Sequence, residues 1–305
     1  MRLDVADARD GTEPGRRARG ARGVIRRTAL ALVFVMVIGA LASDPGVQVA
    51  FAQTPPTLGA SCSGTATATA TATVTCSSTI SASTSDVMIV FVTTSSGTPG
   101  TPSMSGGGIT FNSRNTASTT GATAAEFWGV PTSAITSQTV SDTVSGGTTP
   151  SIAMIAFTVT GADITGPFDP SLATPPTAVS GTTSSPTITF STAGADDLVI
   201  GLAGTPAAVG LTAGTCSSAC TVIAAPSTTA QSGAAESYTT TTPGTQTVSF
   251  SSTLSITWVM FGDALVASGG VPDLPFGVVP LLLLVPVVYV FMKARARVPV
   301  PRSPT

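Results

Sequence analysis

The chain has 305 residues, of which only 9% are charged, with no histidine and a formal net charge of −2. Charged residues make up about a quarter of an ordinary soluble protein, so this is the composition of a Thr-rich β protein, whose Cβ-branched side chains suit pleated strands better than helices. Charge is also segregated: between Gln53 and Gly270 Arg114 stands alone against nine acids, which excludes nucleic acid as a partner because phosphate binding needs clustered bases.

Residues 1–27 are Arg-rich, Thr28 to Leu41 form the apolar run TALALVFVMVIGAL, and two small-residue sites follow, Ala40-Leu41-Ala42 and Ala50-Phe51-Ala52. That order predicts a signal peptide with a signal helix. Cleavage after Ala52 is favoured, which makes residues 1–52 the signal. An uncleaved anchor is the alternative, although the run falls short of the roughly 20 residues that span a bilayer. Residues 53–61, with Pro55-Pro56 and Gly59, read as a linker.

Residues 62–267 are predicted to be the exported domain. GTATATATATVT, from Gly64 to Thr75, alternates strictly and reads either as an outer strand or as a low-complexity stalk. Beyond it four blocks recur in order. Asp86 to Val92 matches Asp197 to Ala203, Ala124 to Trp128 matches Ala234 to Tyr238, Gln138 to Ser141 matches Gln246 to Ser249, and Ser151 to Phe157 matches Ser255 to Phe261. The half-repeats therefore run from about residue 74 to 160 and from about 186 to 266. The most apolar runs, Val87 to Val92, Ile152 to Val159, Leu198 to Leu202 and Ile256 to Phe261, are the predicted core strands. Gly, Pro and Ser clusters between them predict an all-β, antiparallel β-sandwich of jelly-roll-like character with an internal pseudo-repeat. Two layouts remain open: halves interleaved into one sandwich, which is preferred, or two tandem sandwiches. This strand order resembles duplicated β surface modules of bacteria, archaea and phages, a resemblance that implies no activity.

Four cysteines in an exported chain imply two disulfides, and the local pairing joins Cys62 to Cys76 and Cys216 to Cys220. The C-x3-C spacing would also suit zinc, but no histidine and no further sulfur lies close by in sequence. Asp163 and Asp169, on either side of a Gly-Pro turn, are weak calcium candidates; no cofactor is otherwise expected. Asp196-Asp197 is the only adjacent acid pair, and neighbours on a strand point to opposite faces, so a turn role is expected rather than acid–base catalysis. Serine nucleophiles lack an imidazole base. No enzyme is expected. Arg114 is expected on a surface loop or in a salt bridge to an acid such as Glu126. Trp128, Tyr238 and Trp258 read as core, or alternatively as a sugar platform.

The tail reads Val271-Pro272-Asp273-Leu274-Pro275, within a linker of residues 268–275, then an apolar segment of residues 276–292, then a basic end of residues 293–305 containing Lys293, Arg295 and Arg297. The apolar segment predicts a transmembrane helix, and the bases place its C-terminal end in the cytoplasm. The tail resembles the PEF-CTERM sorting signals of archaeal surface proteins, related to the PEP-CTERM tails of bacterial exosortase substrates, with Asp273-Leu274 in place of Glu-Phe. That resemblance implies processing by an archaeosortase-like enzyme after signal peptidase. The chain is thus expected at the cell surface, anchored in the cytoplasmic membrane with its β domain outside. Its expected role is structural or adhesive, with neighbouring surface proteins as partners; the alternative is a carbohydrate-binding module for envelope glycans.

Overall fold

A computed structural model describes residues 54–172 and 178–268, which fall within one compact unit running from Ala52 to Gly270. The predicted signal, sorting motif, apolar segment and basic end lie outside the described residues. Those described form eighteen strands and no helix. The first half contains β1 (Thr57–Thr67), β2 (Ala72–Thr75), β3 (Ile80–Ala82), β4 (Asp86–Thr94), β5 (Ser103–Met104), β6 (Asn112–Thr119), β7 (Ala122–Gly129), β8 (Ile135–Gln138), β9 (Val140–Val144) and β10 (Ser151–Thr160). The second contains β11 (Ala178–Thr183), β12 (Thr187–Thr192), β13 (Leu198–Thr205), β14 (Thr212–Ala213), β15 (Thr221–Ala224), β16 (Ser232–Thr239), β17 (Gly244–Ser251) and β18 (Ile256–Leu265).

The halves repeat one topology. A five-stranded sheet ordered β1-β10-β4-β7-β6 is matched by β11-β18-β13-β16-β15, and a three-stranded sheet ordered β2-β9-β5 by β12-β17-β14. The two-stranded β3-β8 sheet has no counterpart among the described residues. Every ladder between the named strands is antiparallel and stays within its own half. Of the two layouts left open, this is the tandem one: each half closes its own pair of sheets, and the two large sheets then pack face to face.

Three apolar layers result. Val90, Val92 and Met154 pack under the small sheets of the first half, and Val199, Val248 and Trp258 under the small sheet of the second. Between the large sheets lie Ile89, Phe91, Phe157, Ile200, Leu202 and Phe261. The predicted core strands became β4, β10, β13 and β18, whose residues are almost all buried because both of their faces are covered. This burial on both sides explains why they read as continuous apolar runs rather than alternating ones.

The alternating Thr-Ala stretch is not one strand. β1 ends at Thr67, paired with β10 of the large sheet, and β2 starts at Ala72, paired with β9 of the small one. The chain changes sheets between them, with Ala70 at φ 75°. A period of two marks both strands equally and cannot reveal the crossing. Cys62 in β1 and Cys76 just after β2 form a disulfide across this corner, with Cα atoms 5.6 Å apart. β1 also begins at Thr57, inside the segment expected to be linker, and β11 enlarges the second half beyond its expected start at 186.

Both ends of the body meet at Gly161, where φ is +82°. The Ser268 N–H donates to the Gly161 carbonyl at 2.6 Å, and a Cβ built at Gly161 would lie 3.8 Å from Pro56 Cα. At the opposite end the large sheets approach closely: Gly204 and Gly233 are ladder partners, and the Thr93 side chain of the other half occupies the space their missing Cβ atoms leave. Gln231 Nε2 donates to Thr93 Oγ1 at 2.6 Å in the same place.

Two predictions follow from this packing. Phe91 and Phe261 meet edge to face across the halves, centroids 6.0 Å apart. Phe91→Ala is expected to cost about 3–5 kcal/mol by urea denaturation, and a double-mutant cycle with Phe261→Ala should show coupling of about 0.5–1.5 kcal/mol. Gly204→Val, which drives methyls into Thr93, should cost about 1–3 kcal/mol; an unchanged midpoint would mean the sheets do not meet there.

Candidate functional site

Ten charged side chains lie among the described residues and none is exposed. Asp86, Glu126, Asp142, Asp169, Asp197, Glu236 and Asp263 are buried; Asp163, Asp196 and Arg114 are half-buried. Charged groups are seldom fully buried without partners, so the chemistry of this protein is concentrated inside it, in three places.

The first lies between the large sheets. Ser113 pairs with Phe127 and Asn115 with Glu126, so Arg114 is the extra residue of a β-bulge in β6; bulges re-aim side chains, and this one reaches the other half. Arg114 Nε donates to Asp263 Oδ2 at 2.7 Å and Nη2 donates to Oδ1 at 3.1 Å, a bidentate pair. The partner is thus Asp263 and not Glu126 or a surface acid. Both Glu126 oxygens are buried without hydrogen bonds. Burial first, then the nearby Asp263 charge, push the Glu126 pKa well above the ordinary carboxylic range, with Arg114 opposing. Burial thus favours the protonated form of Glu126, while Asp263, pushed up to about 6 by its own burial, is held towards the ionised form by the bidentate contact with Arg114. The guanidinium lies 3.9 Å from the centre of the Phe168 ring, and Phe168 meets Trp128 edge to face at 5.6 Å. Phe168 belongs to the chain connecting the halves, which runs beside the end of β18: Asp163 N–H donates to the Val266 carbonyl and Asp169 N–H to the Ala264 carbonyl.

The second place is the Asp169–Asp197 pair. Asp169 accepts from Ser171 N–H at 2.7 Å, Ser171 Oγ at 2.6 Å, Ala193 N–H at 2.7 Å and Gly194 N–H at 3.2 Å. These donors and Asp197 hold its pKa below the usual value against burial. Asp197 is pushed up to about 8 by burial and then by Asp169. Asp163 serves another turn, accepting from Thr165 N–H at 2.8 Å and Thr165 Oγ1 at 2.7 Å. The two calcium candidates therefore close separate turns. The adjacent pair Asp196-Asp197 also divides, Asp196 standing at φ 64° on the outside of the turn.

The third place is in the second half. Cys216 and Cys220 are disulfide-bonded as expected, Cα atoms 6.0 Å apart. The buried carboxylate of Glu236 lies beside them, Oε1 at 3.3 Å from Cys216 Sγ. Burial raises its pKa to about 7, with the backbones of Ser249 and Gly214 pulling it down. Sequence reasoning missed this third group because it matched Glu236 to Glu126. The ladders show otherwise. Phe91 opposes Glu126, and its counterpart Leu202 opposes Ala235. The match was one residue out of step, and a one-residue slip moves a side chain to the other face of a sheet. Glu126 faces the other half; Glu236 faces the interior of its own.

Of the three aromatics, Trp128 is half-buried beside Phe168, and the other two are buried. Tyr238 and Trp258 are each 5% exposed, with the Tyr238 hydroxyl donating to Gln246 Oε1 at 3.0 Å and the Trp258 indole to Thr183 Oγ1 at 3.1 Å.

Removing the cation should leave Asp263 buried and unpaired. Arg114→Met is expected to cost about 3–5 kcal/mol, and Arg114→Met with Asp263→Asn markedly less. The raised carboxyls also set a pH dependence. A carboxyl whose folded pKa exceeds its unfolded value keeps its proton longer in the folded state, so stability is complete below the unfolded pKa and is lost as pH rises through the folded one. Asp142 at about 6, Glu236 at about 7 and Asp197 at about 8 should make the melting temperature fall between about pH 4 and pH 8. Below that window the depressed Asp163 and Asp169 act in the opposite sense. A melting temperature that rises across the window would contradict the assigned protonation states.

Compared with known protein families, characterised proteins and solved structures, the chain finds no match.

Proposed function

We propose that the chain is an exported, membrane-anchored cell-surface protein with a structural or adhesive role, each half being a jelly roll whose fifth strand in the shared eight-strand order, β6 or β15, stays with the larger sheet. The observation that carries this reading is the outer skin. On the small sheet of the first half Thr73 bonds Thr143 at 3.0 Å and Thr75 bonds Ser141 at 2.9 Å. On that of the second, Thr189 bonds Thr247 at 3.3 Å, with Thr187, Ser191 and Thr245 also exposed. Both outer faces are thus hydroxyl ladders without charge, suited to close packing against neighbouring uncharged surfaces. The two disulfides fit an oxidising exterior. An archaeosortase-like enzyme acting at Val271 to Pro275 belongs to the same reading. Burial of Tyr238 and Trp258 leaves the glycan-binding alternative with Trp128 alone of its three aromatics.

Protease shaving of intact producing cells should release peptides from residues 54–268, and recovery only after lysis would overturn the reading. Adhesion or self-association measured between about 0.05 and 0.5 M salt should change little, since exposed charges, the groups that salt screens, are absent from the described surface. A steep salt dependence would argue against contact through the hydroxyl faces.

A further inference from the structure

The Sγ atoms of Cys216 and Cys220 and a carboxylate oxygen of Glu236 all lie within 4.8 Å of one another. Thiolate sulfur and carboxylate oxygen are both zinc ligands, and a site with three protein ligands leaves the fourth position to solvent. A tetrahedral ion bound at about 2.3 Å to sulfur and about 2.1 Å to oxygen needs its ligand atoms about 3.6–3.8 Å apart, so opening the S–S bond and a small closure suffice. The carboxylate is aimed inward: Glu236 is 0% exposed and its Oε2 has no hydrogen-bond partner. We propose that Cys216, Cys220 and Glu236 form a redox-gated site for a thiophilic divalent cation such as Zn2+, closed by the disulfide and opened by a dithiol reductant.

The scaffold around the site does not depend on the disulfide alone. Ser217 N–H donates to the Thr247 carbonyl at 3.0 Å and Thr247 N–H donates to Ser217 Oγ at 2.8 Å. Gly214 N–H donates to the Ser249 carbonyl at 2.7 Å, and Ser249 Oγ donates to the Thr215 carbonyl at 2.7 Å. The loop is therefore held to β17 on both sides of Cys216, while Cys220 leads directly into β15, where Val222 is the ladder partner of Glu236. The carboxylate is particular to this half. Phe127, in the equivalent ladder position of the first half, is apolar, and the disulfide there lies at a different corner. Duplication thus does not account for it.

The chemistry balances in two steps. Two electrons and two protons from the dithiol convert Cys216–Cys220 into two thiols, the dithiol becoming its own cyclic disulfide. The divalent cation then replaces the thiol protons, and that of Glu236 where it is protonated, releasing them to solvent.

The test uses residues 53–270 within the full chain, carrying Cys62→Ala and Cys76→Ala so that the other pair cannot contribute. The protein is reduced with a dithiol, freed of it, and titrated with Cd2+ while the thiolate-to-metal charge-transfer absorption is recorded. One equivalent should bind to the reduced protein and none to the oxidised form. Glu236→Gln should weaken binding by about tenfold or more, with Glu236→Asp intermediate, and Zn2+ should displace the probe. Absence of binding, equal affinity in Glu236→Gln, or loss of the β circular-dichroism signal on reduction that Cd2+ does not restore would each overturn the proposal. Surface display does not depend on any of these outcomes.

Discussion

The contact of one large sheet with the other is the constraint on which the rest of this protein depends. A sheet with one small sheet on one face would leave β4, β10, β13 and β18 with an apolar face in water. Packing the halves together buries Ile89, Phe91, Phe157, Ile200, Leu202 and Phe261 in a common layer, and burial of apolar area is the dominant favourable term in folding. Contacts between the halves are reciprocal: β6 lies on β11 as β15 lies on β1, and β7 lies on β18 as β16 lies on β10. This is the arrangement of an isologous dimer, realised within one chain.

Between the large sheets the symmetry is broken by side chains, and the ion pair sits there. Ladder partners identify Ile223, Ala235 and Phe157 as the counterparts of Arg114, Glu126 and Asp263. One side of the seam is therefore apolar and the other holds a cation and two carboxyl groups. A buried ion pair contributes little net stability against an apolar alternative, but it is costly to mismatch. The Arg114–Asp263 pair is satisfied only when the first half meets the second, so it selects that pairing over either half meeting its own copy. The bulge that supplies Arg114 recurs at Ile223, so the two halves differ there in side chain and not in backbone.

Much of the fold was legible because duplication left repeated apolar runs in the same order. The four central strands, the local disulfides and the antiparallel all-β class follow from residue types and spacing alone. Interleaving was preferred for want of a visible boundary, and the chain around Gly161 to Leu172 hides that boundary by pairing with the end of β18. The charged cluster was less legible. Arg114 and Asp263 are far apart in sequence, and nothing local reveals that a bulge turns one toward the other. The Glu236 site was hidden by a plausible alignment of two Ala-Ala-Glu triplets, since composition cannot resolve a one-residue slip when every neighbour is Ala, Ser or Thr.

The meeting of both ends at Gly161 bears on mechanics. Tension along the polypeptide would arrive at Pro55 and leave at Ser268, passing through the short Ala162–Ala267 bridge rather than along the eighteen strands. The body hangs from its chain as a pendant and is not a link in it. Pulling on the backbone would load the Thr57–Thr160 end of the β1–β10 ladder and the Ala162–Ala267 bridge, and spare the opposite ends of β4 and β13.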